Sequence, residues 1–172
     1  MDWIPVGTLT KTHGLKGEFK FHSLISDPNV FEGLKRVRVF GPEANEKELI
    51  ISSFRWRLPR SIVKFEEYNS IDEVRHLAGW QVFVHRIGFK KLPEGEYYWF
   101  EIEGLNVFDE EGCHYGRIEE IIQTGSNDVY VVREGGKELL LPMIDSVVKT
   151  INLEEGKLIF HPVEGLLENA PG

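Results

Sequence analysis

The segment THGLKGEFKF, residues 12–21, sets the fold class of the N-terminal half of the chain. Gly14 and Gly17 flank a leucine and Lys16, and alternating apolar and polar residues follow them. A nucleotide-binding P-loop spaces its glycines differently and opens a helix, and the GxxG clamp of KH domains also lies between helices. The flanks of this motif are extended instead. We therefore predict a turn between two strands, in which the two glycines supply positive φ angles.

Lys16, at the tip of this turn, has two interpretations. Most GxxG sequences are structural turns, and the lysine would then be an ordinary solvated side chain. Alternatively, its ammonium group contacts a phosphate of RNA. Both interpretations stay open, and Lys16 is a candidate RNA contact.

Strand patterns dominate the remainder of the chain. Apolar and polar residues alternate in FKFHSL, RVRVF, FRWRL, IVKFEEY and WQVFVHR. SIDEVRHLAG is the exception, because Ser70 and Glu73 match a capping box and Gly79 can end a short helix. In the second half, short strand patterns are separated by the turn sequences DEEG, TGSND, GG and LEEG. These patterns predict an all-β fold with one short helix, in two consecutive β-domains of the small barrel or sandwich type.

A linker is predicted at residues 87–96, IGFKKLPEGE, where the alternation stops. The domains would then span residues 1–86 and 97–172. Divided near Leu92, the first part has 15 Lys and Arg against 11 Asp and Glu, and the second has 5 against 17. The resulting net charges of +4 and −12 add up to the net charge of −8 of the whole chain. This contrast indicates two domains with different partners, although acidity can also serve solubility alone.

Composition narrows the class of protein. With 41% hydrophobic and 28% charged residues, the chain has the balance of a soluble globular protein. No apolar run approaches the roughly 18–20 residues that span a bilayer, and the N-terminus lacks the pattern of a secretory signal. The single cysteine, Cys113, suits a reducing compartment. We therefore expect a cytoplasmic protein without a membrane span.

No motif in the sequence indicates catalysis. The six histidines have no metal-ligand spacing, and no nucleophile elbow is present. We therefore expect no metal, no cofactor and no catalytic residue. A hydrolase or RNA-modifying enzyme in the first domain remains the alternative, and it would require a convergent polar site.

The segment RWRLPR carries three arginines, Arg55, Arg57 and Arg60. Arginines on the solvent face of a strand can contact phosphates, so these three are candidate RNA contacts. An ordinary solvated face, with Trp56 in the core, is an equally good interpretation.

Four consecutive aromatic residues occur in EYYWFEIEG. We predict a strand here, with Tyr98, Phe100 and Ile102 on its core face and Tyr97 and Trp99 on the other. Such clusters are often simply core. Because both faces are aromatic, we expect the other domain or a partner to cover at least one of them.

Taken together, these motifs resemble the RimM family of bacterial small-subunit maturation factors. VGTLTKTHGLKGEFKF resembles the family's opening signature, and SIDEVRHLAGWQVFV resembles its short helix and following strand. GEYYWFEIEGLNVFDEEGCHYGRIEEII, GSNDVYVV and KELLLPMIDSVVKTINLEEGKLIF resemble its PRC-barrel domain. The match runs in order along nearly the whole chain. It implies a six-stranded N-terminal barrel, akin to barrels of translation proteins, followed by a PRC-barrel.

The resemblance also implies a function without catalysis. RimM-like proteins associate with immature 30S subunits and act on the head region, which is folded from the 3′ part of 16S rRNA. Their protein partner is small-subunit ribosomal protein nineteen, bound through the C-terminal barrel and linker region. The family's adjacent tyrosines fall on Tyr97 and Tyr98, so these two and Trp99 are the candidate partner-binding residues.

The charges suggest how the two domains divide this work. We expect the acidic domain to hold the ribosomal protein, which is typically basic, and the basic domain to face rRNA. Nothing in the sequence requires more than a monomer. The alternative function is a PRC-barrel binding module with another RNA or protein partner, because fold does not dictate function.

Overall fold

The computed structural model describes residues 2–25, 27–57 and 59–168. The chain forms two compact units, Met1–Lys91 and Leu92–Gly172, called here the first and second units. The division falls within the predicted linker, and the bounds of the two domains remain a prediction. The expected all-β architecture is confirmed.

The first unit is a closed barrel of six antiparallel strands in the order β1-β2-β5-β4-β3-β6. Its strands are β1 (Trp3–His13), β2 (Glu18–Ser23), β3 (Arg36–Phe40), β4 (Glu46–Arg55), β5 (Ser61–Phe65) and β6 (Gln81–His85). Closure pairs each of these strands on both sides, which protects the barrel from the addition of another strand at an edge. The six-stranded barrel that the resemblance implied is thus present.

Side chains fill the interior of this barrel. Leu9, Phe19, Val39 and Phe65 have no exposed surface, which agrees with the alternation in their strands. A cavity of only about 10 Å³ remains among the apolar side chains, which is room for about one water molecule. The functional groups of the first unit must therefore lie on its outer surface.

The helix predicted from the capping box is confirmed as α1 (Ile71–Val74). The backbone amide of Ser70 donates a hydrogen bond to the carboxylate of Glu73 over 2.9 Å. The helix continues as a 3₁₀ turn, and Val74 and Leu77 are fully buried. These two apolar anchors hold the helix against the barrel.

The second unit is built on a six-stranded sheet in the order β10-β9-β8-β7-β12-β11. Its strands are β7 (Asn106–Asp109), β8 (His114–Gln123), β9 (Asp128–Glu134), β10 (Lys137–Pro142), β11 (Val148–Asn152) and β12 (Lys157–Phe160). β12 runs parallel to β7, and the other neighbours are antiparallel. Tyr130, Val132, Leu139 and Phe160 lie in one hydrophobic core. This sheet is consistent with the expected PRC-barrel.

The strand predicted for the aromatic segment is wrong. Its residues form a helical turn, α2 (Trp99–Ile102). The amide of Tyr98 donates to the Glu101 carboxylate over 2.9 Å, and the amide of Glu103 donates to the Trp99 carbonyl over 2.9 Å. These backbone groups are satisfied locally and so need no neighbouring strand. No helix in the described part of the chain is long and apolar enough to cross a membrane.

Candidate functional site

Gly14 and Gly17 lie in the turn between β1 and β2, with φ angles of +64° and +81°. The two positions differ in their surroundings. Nothing lies near the position of a Cβ on Gly14, whereas one on Gly17 would lie 3.3 Å from the backbone carbonyl of Ser70. In addition, the Leu15 carbonyl accepts a hydrogen bond from the Ile71 amide over 3.0 Å. The turn is thereby joined to the start of α1.

The side chain of Lys16 is exposed on this turn. β2 begins beside it, and strand pairing then aligns three further basic residues. Lys11 pairs with Lys20, and both Lys20 and Arg55 pair with Ile62. These residues form one row across β1, β2, β5 and β4, about 15 Å long for strands about 4.8 Å apart.

Of this row, only Arg55 was identified from the sequence, and Lys11 and Lys20 were missed. The signal was present, because a hairpin closed at GLKG places the residues before and after the turn opposite each other. Like charges directly opposite each other destabilise a sheet. A bound phosphate would relieve this repulsion between the two lysines.

Arg57 and Arg60 lie in the connection between β4 and β5, and both are exposed. The strand predicted through RWR is wrong here, because β4 ends at Arg55. The amide of Arg57 donates to the hydroxyl of Ser61 over 3.2 Å, while the Trp56 ring packs near Phe31. The local hydrogen bond closes the connection instead of extending the strand.

All of the predicted RNA contacts lie on or beside one side of the barrel. Glu18 pairs with Lys64 and Phe21 pairs with Ser61, so the GLKG turn and the β4–β5 connection flank opposite ends of the β2–β5 pair. We call this surface the basic face: Lys11, Lys16, Lys20, Arg55, Arg57 and Arg60. Two groups of candidate residues that are separate in the sequence therefore lie beside the same strand pair.

One carboxylate interrupts the basic face. Arg55 donates to Glu18 over 3.0 Å, and the arginine side chain is still 58% exposed. The Glu18 side chain is only 19% exposed, so this is not a fully solvated ion pair. A phosphate on the basic face would compete with this carboxylate for Arg55.

The candidate partner-binding residues surround α2. Tyr97 is half-buried and packs against the core of the second unit. Tyr98 is 9% exposed, and its ring stacks on Phe100 at 5.2 Å. Trp99, also half-buried, meets Phe100 edge to face at 5.0 Å. Tyr98 is therefore mainly a packing residue, and Tyr97 and Trp99 retain partial exposure.

The outer side of β8, β9 and β10 combines carboxylates with exposed apolar side chains. Arg133 donates to Glu138 over 2.9 Å and to Glu119 over 3.2 Å. The bonds to Glu119 and Glu138 raise the pKa of this arginine further. Ile122 and Leu140, on the same side, are 42% and 49% exposed. Glu120 also faces Arg133. We call this surface the acidic face: Glu119, Glu120, Glu138, Ile122 and Leu140.

The free cysteine is not set up for chemistry. Cys113 is exposed, and the negative charge of Asp109 raises the pKa of its thiol, which disfavours the reactive thiolate. Asp109 accepts hydrogen bonds from the Cys113 amide and the Tyr115 hydroxyl, so it organises a turn. Within the described ranges, no group of three or more His, Cys, Asp and Glu side chains is placed to hold a metal ion.

Two family models match the chain in order. The model of the RimM N-terminal domain matches residues 4–87, and that of the RimM PRC barrel domain matches residues 99–166. The first range contains the barrel and the basic face, and the second contains α2 and the sheet of the second unit.

Curated proteins are similar to this chain over nearly its whole length. A protein of Ruminiclostridium cellulolyticum is 40% identical over 98% of this chain and 99% of its own. One from Shouchella clausii is 39% identical over 96% and 97%, and one from Geobacter metallireducens is 35% identical over 97% and 96%. All three bear the name ribosome maturation factor RimM.

Proposed function

The chain belongs to the RimM family, and from this premise we propose that it is a non-catalytic maturation factor of the small ribosomal subunit in the cytoplasm. The observation that carries the proposal is the pair of family-model matches, which together cover most of the chain in order. The names of the relatives indicate the process in which the chain would act, ribosome maturation. The two charged faces supply the contacts through which it would act.

The second unit would bind small-subunit ribosomal protein nineteen, the partner that the sequence resemblance implies. The acidic face supports this assignment, because its carboxylates complement a basic protein and its exposed Ile122 and Leu140 can pack against apolar groups. The net charge of −12 in this part of the chain would speed the encounter and disfavour acidic competitors.

The aromatic segment would support the same partner. Tyr97 and Trp99 can contribute to the binding surface, since aromatic rings are enriched at protein interfaces. The buried ring of Tyr98 would act by holding α2 in place. Removing the two tyrosines would then weaken binding both directly and through the shape of the segment.

The first unit would contact the head region of immature 16S rRNA through its basic face. Lysines and arginines in a row suit consecutive phosphates. Each phosphate that they neutralise would make binding more sensitive to salt. The basic face would therefore position the protein on the rRNA. The protein-binding surface of the second unit would provide specificity for the ribosomal protein.

The proposed mechanism needs no nucleotide hydrolysis. A factor that binds the immature head more tightly than the finished head shifts the folding equilibrium by that difference in affinity. It leaves when native contacts replace its own. The protein would thus favour one folding route or protect an exposed surface.

Co-sedimentation tests the proposed function. The full chain should appear with free small subunits and their precursors in a sucrose gradient, and not with intact ribosomes. A chain that is absent from the free small-subunit fraction would contradict the assignment. A chain that binds another RNA or protein instead would favour the alternative of a separate PRC-barrel binding module.

A pull-down of ribosomal protein nineteen tests the assignment to the second unit. Glu120→Lys/Glu138→Lys should reduce recovery at low salt. Glu43→Lys/Glu66→Lys is the matched control, since it makes the same charge change at exposed positions of the first unit. Equal recovery with both pairs would move the protein site away from the acidic face.

The aromatic segment is tested with the same pull-down. Tyr97→Ala/Tyr98→Ala should lower recovery, and Tyr97→Phe/Tyr98→Phe, which keeps both rings, should retain more. Circular dichroism of the alanine variant separates a weakened interface from a misfolded chain. Full recovery by a folded alanine variant would remove these tyrosines from the site.

A further inference from the structure

A second surface of the first unit carries aromatic side chains that its core does not use. Val82 and Val84 of β6 are buried inside the barrel, so Phe83 and His85 point outward by alternation. The same holds for Trp3 on β1, which precedes the buried Ile4. These outward rings are only partly covered.

Strand pairing brings these rings together. Trp3 pairs with His85, and Phe83 pairs with both Pro5 and Arg38. The result is a continuous outer surface over β1, β6 and β3. We call it the aromatic patch: Trp3, Pro5, Arg38, Phe40, Phe83 and His85.

Ring interactions within the patch order its side chains. Trp3 and His85 meet edge to face with centroids 5.1 Å apart, and Phe40 and Phe83 do the same at 4.8 Å. The guanidinium carbon of Arg38 lies 4.2 Å from the centre of the Trp3 ring. A flat cation is thus held over an indole ring at the surface.

We propose that the aromatic patch stacks unpaired bases of RNA, an inference that rests on the RNA-binding function proposed above. Single-stranded RNA is recognised by aromatic side chains and arginine planes on β-sheet and barrel surfaces. The patch has this composition: it presents rings, a proline and a stacked arginine. The first part of the chain, with net charge +4, also favours a polyanion.

Two arginines at the patch can bind the phosphates of such a strand. Arg36 lies 3.5 Å from Glu48 and Arg38 lies 3.7 Å from Glu46, and the carboxylates are about half exposed. Such surface pairs contribute little, so phosphate can displace the carboxylates. The patch and the basic face share β1, so one RNA can present paired phosphates to the basic face and unpaired bases to the patch.

Oligonucleotide binding by the full chain tests this inference. The probe is a fluorescein-labelled oligouridylate of about 12 nucleotides, alone or annealed to oligoadenylate, measured by anisotropy. Trp3→Leu and Phe83→Leu keep an apolar side chain and remove the ring. Each should weaken binding of the single strand by about 10-fold and leave duplex binding unchanged.

Two control variants separate the patch from other effects. Phe108→Leu removes a ring that also lies beside a histidine, but in the second unit, and it should leave binding unchanged. Lys11→Gln/Lys20→Gln should weaken single strand and duplex alike. On the single strand it should also reduce the salt slope by about 0.7 for each phosphate that the two lysines no longer neutralise. Trp3→Leu and Phe83→Leu should leave that slope unchanged.

The inference is overturned if folded Trp3→Leu and Phe83→Leu bind the oligouridylate like the unmodified chain, or if the unmodified chain does not bind it at low salt. It is also overturned if these variants lose binding to the ribosomal protein but keep binding to the oligouridylate, since the patch would then bind protein. The proposed function fails separately, when the unmodified chain does not co-sediment with small subunits.

Discussion

Among the described residues, each unit has one α-helix, four residues long, and the two α-helices begin with the same hydrogen bond made by different sequences. In α1 the amide of Ser70 donates to Glu73, and in α2 the amide of Tyr98 donates to Glu101, both over 2.9 Å. Only α1 was predicted. A serine followed three residues later by glutamate is a known helix start, whereas a run of Tyr, Tyr, Trp and Phe is typical of strands.

The difference shows that the third-position glutamate, rather than the type of capping residue, is what the two helices share. Both helices are too short to be stable alone, and each depends on a buried anchor. Leu77, just after α1, is 0% exposed, and Ile102, at the end of α2, is 1% exposed.

Removing the anchors should produce the largest loss of stability. Leu77→Ala and Ile102→Ala should each lower the free energy of unfolding by about 2–5 kcal/mol, because each leaves a cavity in a packed core. Urea denaturation followed by circular dichroism measures the loss. Leu15→Ala, at a position 77% exposed, is the control and should change little. An Ile102→Ala chain as stable as the control would show that α2 is not anchored in the core.

The turn beside α1 should be the next most sensitive feature. Gly14→Ala places a side chain in a left-handed conformation, which costs about 1–2 kcal/mol. Gly17→Ala adds crowding, because its Cβ would lie 3.3–3.4 Å from backbone atoms of Ser70 and Tyr68. Gly17→Ala should therefore have the lower melting temperature of the two. Equal melting temperatures would mean that a Cβ at position 17 does not crowd the backbone at the start of α1.

The caps should contribute less than the anchors. Ser70→Ala should cost about 1 kcal/mol, as is usual for a helix start. Glu101→Ala should cost a similar amount, because it removes the acceptor of the Tyr98 amide. Thermal denaturation of both variants measures this. Ser70→Ala removes only the hydroxyl and keeps the amide, so Glu101→Ala is the variant that tests the amide–carboxylate bond, and an unchanged melting temperature for it would show that α2 does not depend on that bond.

The smallest effect expected is on the pH dependence of stability. Hydrogen bonds from the amide of Asn69, and then from the side chain and amide of Ser70, lower the pKa of Glu73 from its ordinary value of 4.5. The unfolded chain therefore takes up this proton first as pH falls. The contribution of Glu73 is fully present above about pH 4.5 and is lost as pH falls through the lower pKa of the folded state. Melting curves between neutral pH and acid should be flatter for Glu73→Gln, and curves of identical shape would remove Glu73 from the cap.

Prediction from the sequence succeeded where structure depends on near neighbours. The turn at Gly14 and Gly17 was predicted because positive φ angles favour glycine. α1 was predicted because a capping box spans four residues. The strands of the first unit followed from alternation, which reports on which face of a sheet is buried, and those of the second unit from the turn sequences between them.

Prediction failed where a local hydrogen bond overrode a propensity. In the aromatic segment, Glu101 satisfies the Tyr98 amide and favours a helical turn. After Arg55, the hydroxyl of Ser61 accepts from the Arg57 amide and the strand ends. In both cases one side chain decided the backbone conformation, which an alternation pattern does not detect.

The amino-acid sequence alone indicated the family, the two β-rich halves and their opposite charges, and it made Lys16, Arg55, Tyr97 and Tyr98 candidate contact residues. These properties depend on composition and on short-range patterns. Only the tertiary structure placed Lys11 and Lys20 in a row with Arg55 and set Arg38 over Trp3. The physical reason is strand register, which joins residues far apart in the chain and which closure of the barrel settles.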